Sequence, residues 1–196
     1  KGLEPNEFQY KSFETDILFD EEDAVKTGIN LITPFIKQYI ISSGEAGAVL
    51  VGASNFDSST SNITKFIKDR SNYFAKSIND TTKETLLKSI KEGVSKSESL
   101  DEISKRVADI YGQAKDYRTD MIARTEVSAS SNFGATEAYQ QAGVTKQEWA
   151  VVSPEDEDCI ENEGVVVEIG DNFPSGVDAP PVHPNCVCTT LPVFNE

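Results

Sequence analysis

Apolar residues recur at three- and four-residue steps at Val25, Ile29, Ile32, Ile36 and Ile40. That is the period of one helical face. The run Asp20 to Asp23 ahead of it places acids in a first turn, where the helix dipole favours them. Pro34 either kinks this helix or restarts it after Thr33. The stretch Ala46 to Gly52 extends the helix or forms a short buried strand, and periodicity leaves the choice open. A breaker rich in Ser, Thr and Asp runs from Asn55 to Asn62. Beyond it Ile63, Phe66, Ile67, Phe74 and Ile78 predict a second helix. Thr81 with Glu84 has the form of a capping box before Leu86, Leu87 and Ile90, with Gly93 as terminator. Ser99 with Glu102 repeats the device before Ile103, Val107, Ile110 and Tyr111. A further helix is predicted from about Tyr117 to Gln141, closed by Gly143. Residues 1–20 mix Phe8, Tyr10, Phe13 and Phe19 with polar residues without a clean period, as a connector would.

After Gly143 the pattern changes. Glu148–Val152, Gly164–Ile169 and Val187–Val193 are rich in β-branched residues and are separated by Gly, Pro, Asp and Asn. Helices first and strands later predict an α+β chain, mainly helical over its first two-thirds, with a small β-rich C-terminal module. The expected divisions are a connector at 1–20, a helical domain at 21–143 and a Cys/His module at 144–196, the last two free to pack as one unit.

Composition narrows the function. Hydrophobic residues make up 38% and charged residues 26% of the 196, as in ordinary globular proteins. The net charge is -15, and residues 147–196 carry 11 acids with no Lys or Arg. That module is therefore poorly suited to a phosphate backbone, which needs cations to displace counterions. Any DNA contact is expected on the near-neutral helical part. No run approaches the ~20 apolar residues of a membrane span, and the start at Lys1 lacks the form of a secretory signal. A chain that begins at such a residue is expected to be a piece of something longer.

All three cysteines and the only histidine fall between Cys159 and Cys188. Cys159, His183, Cys186 and Cys188 are candidate metal ligands, because structural zinc takes four thiolate or imidazole donors. Cys186 and Cys188 point to one side if their segment is a strand. The alternative is buried thiols beside a hydrogen-bonded histidine in a proline-rich turn. The acids from Glu155 to Glu163 lack the alternation and central glycine of a calcium loop, so a solvated loop is expected there. Enzyme readings fare worse. An ADP-ribosyltransferase order fails, since Arg70 follows Ser59-Thr60-Ser61 while Glu161-Asn162-Glu163 lies further on. A zinc hydrolase would need an open metal position with Glu161 or Glu163 as base. A serine hydrolase would have to use His183, and no nucleophile elbow is present. No catalytic residue is assigned.

Three ordered stretches carry a resemblance. They are Ile122-Ala123-Arg124-Thr125-Glu126-Val127 with Asn132, Gly134 and Tyr139; Gly143-Val144 with Trp149 and Asp158-Cys159; and Pro180-Pro181-Val182-His183-Pro184-Asn185-Cys186-Val187-Cys188. Together they resemble the phage head morphogenesis family, the minor head proteins typified by protein F of phage Mu, over most of residues 60–194. Asn162 stands where the family commonly has Cys or His, and Val187 where it usually has Arg. The resemblance implies a virion protein without catalytic activity. It would act in head assembly by contacts with portal or head proteins, or in DNA delivery, and could oligomerise through the portal. Some relatives are fused behind a portal protein. A phage-carried metalloenzyme or toxin, and a DNA-handling ejection protein, are the alternatives. The family-motif residues Arg124, Thr125, Glu126, Asn132, Gly134, Tyr139, Trp149, Asp158, Pro181 and Pro184 are expected to be structural. Arg124 and Glu126 would tie their helix to neighbouring loops, and Trp149 would anchor a core between helix and sheet.

Overall fold

A computed structural model describes residues 21–96, 116–152 and 156–194, together with Glu102, Lys105 and Asp109. The connector at 1–20, Ser99 of the second capping box and the apolar residues that follow that box lie outside the described residues. Among the described residues three long helices come first: α1 (Glu21–Leu50), α2 (Ser61–Ser95) and α3 (Asp116–Gln141). A small antiparallel sheet follows, built from β1 (Lys146–Ala150), β2 (Val166–Glu168) and β3 (Thr189–Val193) in the order β2-β1-β3. A one-turn helix, α4 (Glu157–Ile160), lies between β1 and β2. The architecture is α+β, with the helices in the N-terminal two-thirds and the sheet at the C-terminal end.

The apolar face read along α1 becomes a core: Ile36, Ile40 and Ile63 are fully buried, with Ile32, Phe56, Phe66, Ile67 and Phe133 packed against them. Pro34 lies inside α1 without ending it. The neighbouring Thr33 hydroxyl donates to the Ile29 carbonyl at 2.7 Å and lies 3.0 Å from Ser71 Oγ on α2. The ambiguous stretch after Ala46 is helix up to Leu50. There Gly52, at φ +74, closes it, with Gly52 N donating to Val49 O and Ala53 N to Ala48 O. α3 ends the same way at Gly143, where Val144 N donates to Tyr139 O at 2.9 Å. Both ends are Schellman caps, which need a left-handed residue that glycine supplies cheaply.

One sequence expectation fails. Thr81 to Glu84 do not start a helix; α2 runs straight through them and through Gly93 to Ser95. A capping box works only where the N-cap residue has left helical geometry. Residues 76–80 contain no Gly or Pro to force that exit, and interior Thr, Asn and Asp each cost only ~0.7 kcal/mol. The real start of α2 is set by Thr60, whose Oγ1 accepts from Ile63 N at 3.3 Å.

α3 crosses α1 at a glycine. A side chain at Gly134 would run into the Ile40 carbonyl and the Ser43 hydroxyl, and Gly47 of α1 in turn faces Ala135 and Ala138. We expect Gly134→Ala to destabilise the chain by about 2 kcal/mol, the scale of overpacking a tight contact. Thermal unfolding checks this: the midpoint should fall by about 4–8 °C.

Candidate metal centre and its support on helix α3

The local sequence builds the ligand turn. His183-Pro184-Asn185-Cys186 is a β-turn in which Cys186 N donates to His183 O at 3.2 Å. Proline suits the second position of such a turn, and asparagine tolerates the left-handed third. Asn185 has φ 66, alone among the described non-glycine residues in being positive. The turn therefore brings the side chains of its first and fourth residues together. The imidazole orientation follows from its other nitrogen: His183 Nδ1 lies 2.8 Å from the Pro184 carbonyl, which can only accept. Nδ1 thus carries a proton, and in the neutral imidazole Nε2 keeps its lone pair.

That lone pair faces Cys159 Sγ at 3.1 Å, and Cys159 Sγ lies 3.8 Å from Cys186 Sγ. Cys159 comes from α4, whose N-cap Asp156 accepts from Asp158 N at 3.0 Å through Oδ1 while its Oδ2 lies 3.5 Å from His183 Nε2. The donor atoms of Cys159, His183 and Cys186 all lie within 4.8 Å of one another, an arrangement that could hold a metal ion. Cys188 is outside that mutual distance. It belongs to the same core, with Trp149 and Phe173 in an edge-to-face contact at 5.0 Å. Burial pushes the Cys159 thiol far above its ordinary range, reinforced by the adjacent thiols of Cys188 and Cys186. Burial also raises Cys186. These thiols keep their protons unless a cation displaces them.

Three of the α3 residues that carry the resemblance reach toward this centre. Thr125, Asn132 and Tyr139 are seven residues apart and so share one helix face. Each reaches the segment that carries the ligands. Thr125 Oγ1 accepts from Asn185 N at 3.1 Å. Asn132 Nδ2 donates to the Cys188 carbonyl at 3.1 Å, and its Oδ1 accepts from Thr190 N at 3.2 Å. The Tyr139 hydroxyl donates to the Thr190 carbonyl at 3.4 Å. Glu126 faces elsewhere: buried, it takes a two-pronged ion pair from Arg70 of α2, at 2.8 and 2.9 Å. It thus ties helix to helix rather than helix to loop, and Arg124 is exposed. Trp149 is fully buried inside the module, among the cysteines. Pro181 follows a cis bond from Pro180, while Asp158 and Pro184 are exposed.

Asn162, which stands where the family commonly has Cys or His, is a buried scaffold residue. Its amide donates to Asp158 O at 3.0 Å and Ser175 Oγ at 2.7 Å and accepts from Ser175 N at 3.1 Å. No local pattern in the sequence links Arg70 to Glu126, 56 positions away. The seven-residue spacing of Thr125, Asn132 and Tyr139 was a signal available in the sequence.

Comparison with known families supplies the identification. A family model described as phage Mu protein F like protein matches residues 83–191. The chain belongs to this family. No curated protein and no solved structure matches it. In this Mu F-like chain the match spans α3, β1, the cysteine and histidine donors and most of β3.

Elsewhere α2, α3, Gln147 and residues 169–170 and 177–181 line a groove of about 650 Å³. Glu137 on its wall is 7% exposed and receives a 3.4 Å contact from Asn62 Nδ2. Desolvation raises its pKa, outweighing hydrogen bonds from Asn62 and Thr60. A carboxyl with a raised folded-state pKa favours folding at acid pH and opposes it once ionised. Glu137→Gln should therefore melt higher than the parent at pH 7, and the difference should vanish as pH falls through the carboxylate range. Melting curves from pH 3 to 8 test this.

Proposed function

We propose that this Mu F-like chain is a minor head protein of a phage or prophage, working in head morphogenesis through contacts with portal or other head proteins. The family match over residues 83–191 carries this reading. The role is structural rather than catalytic. In support, Thr125, Glu126, Asn132 and Tyr139 all make internal contacts rather than lining an open cleft. The acidity of residues 147–196 keeps that part off DNA and favours protein partners. No helix among the described residues is long and apolar enough to cross a membrane. The protein would reside in the virion, after assembly in the bacterial cytoplasm.

In the same reading the metal centre holds zinc as a structural staple. Tetrahedral zinc with Zn–S bonds of ~2.3 Å sets two sulfurs about 3.8 Å apart, and Cys159 and Cys186 have that separation. Cys188 is the fourth donor. Its sulfur closes the set by moving toward Cys159, with which it shares a buried core. Three thiolates and one imidazole make a closed site with no position for a substrate.

Purified heads of the encoding phage test the role. The chain should be found in them by mass spectrometry, and deleting its reading frame should reduce DNA-filled heads. Normal infectious particles lacking the chain would overturn the proposal.

A further inference from the structure

We infer that Thr125 and Asn132 of α3 are positioning residues of the metal centre, so that metal binding and the seating of the C-terminal module on α3 are one coupled event. This rests on the metal reading above and adds to it two residues that touch no ligand atom.

The geometry is specific at both places. The turn that pairs His183 with Cys186 depends on Asn185 staying at φ 66, a conformation that even asparagine adopts at some cost. The backbone N–H of Asn185 is held at 3.1 Å by Thr125 Oγ1, which is itself fixed by donating to Met121 O at 2.7 Å. Thr125 thus locks the residue on which the His183-to-Cys186 spacing depends. Further along, the carbonyl of Cys188 and the N–H of Thr190 point to the same side of an extended segment. Asn132 bonds both with one amide, as a neighbouring strand would. Asn132 is 4% exposed and also donates to Ser128 O at 2.9 Å, so its orientation is fixed from its own helix. Holding Cys188 by its carbonyl sets the direction of its thiol. Removing groups that orient metal ligands commonly costs 10–100-fold in metal affinity. Linkage then runs both ways: whatever tightens the ligand segment tightens its hold on α3.

Cobalt(II) titration of the whole chain provides the test, because thiolate–cobalt absorption reports the ligands directly. The parent should bind one equivalent. Cys186→Ser should remove the thiolate band of that ligand and most of the affinity. Thr125→Val and Asn132→Ala should each weaken cobalt binding about tenfold with the band positions retained, whereas Thr125→Ser restores parent affinity. Gly134→Ala, which disturbs α3 on the α1 side, controls for general loss of stability and should leave the cobalt affinity within about twofold. A second readout follows hydrogen exchange: zinc should slow the amides of Asn185 and Thr190 in the parent, and slow them less in the two variants. Parent-like cobalt affinity in both Thr125→Val and Asn132→Ala would overturn the positioning role while leaving the metal reading standing. Failure of the parent to bind cobalt or zinc would overturn both.

Discussion

The fold depends on helix α3 being enclosed on three sides while carrying polar side chains on two of them. One side meets α1 backbone to backbone at Gly134. A second meets α2 through the Arg70–Glu126 ion pair and the stacked rings of Phe66 and Phe133, 3.8 Å apart. The third receives the C-terminal module through Thr125, Asn132 and Tyr139. A buried polar group left unpaired costs about 1–3 kcal/mol, so each of these contacts also excludes arrangements that would leave it unpaired. A purely apolar helix would bury well but would specify its neighbours less sharply.

This arrangement explains the layout of the module. Its sheet has three short strands, and a sheet of that size is marginal unless its face packs on something. The face holding Trp149 covers the cysteine core, and β3 is attached to α3 through Thr190. α4 and the 173–176 turn are pinned by Asn162. A loop-rich unit of this kind gains much from a metal staple. The donor atoms converge at the junction between the turn held by Thr125 and the helix capped by Asp156.

Much of this was legible in the sequence, for identifiable reasons. The period of Ile32, Ile36 and Ile40 located α1, and Gly143 located the end of α3, because both signals are local and cheaply broken by substitution. The β-branched runs located the three strands to within two residues at each strand's near end. Thr81 to Glu84 misled, since a cap signature has meaning only where the chain has already turned. The cysteines and histidine could be proposed as a group because they were few and close in sequence. The Arg70–Glu126 pair could not, because nothing local links positions 56 apart. The paired hydrogen bonds of Asn132 with the Cys188 carbonyl and the Thr190 N–H were hidden likewise, although its seven-residue spacing from Thr125 and Tyr139 pointed to a shared face. Asn162 shows the converse: where the family commonly has Cys or His, this chain has an amide whose three hydrogen bonds make it architectural.

The proposed structural metal, enclosed by Cys159, His183, Cys186 and Cys188 and held in place from α3, is the point on which the rest turns. Zinc-edge X-ray absorption on the chain purified from zinc-supplied cells measures this most directly. The account predicts one zinc per chain with three sulfur neighbours at ~2.3 Å and one nitrogen at ~2.0 Å. A zinc-free protein, or a first shell dominated by oxygen, would contradict it.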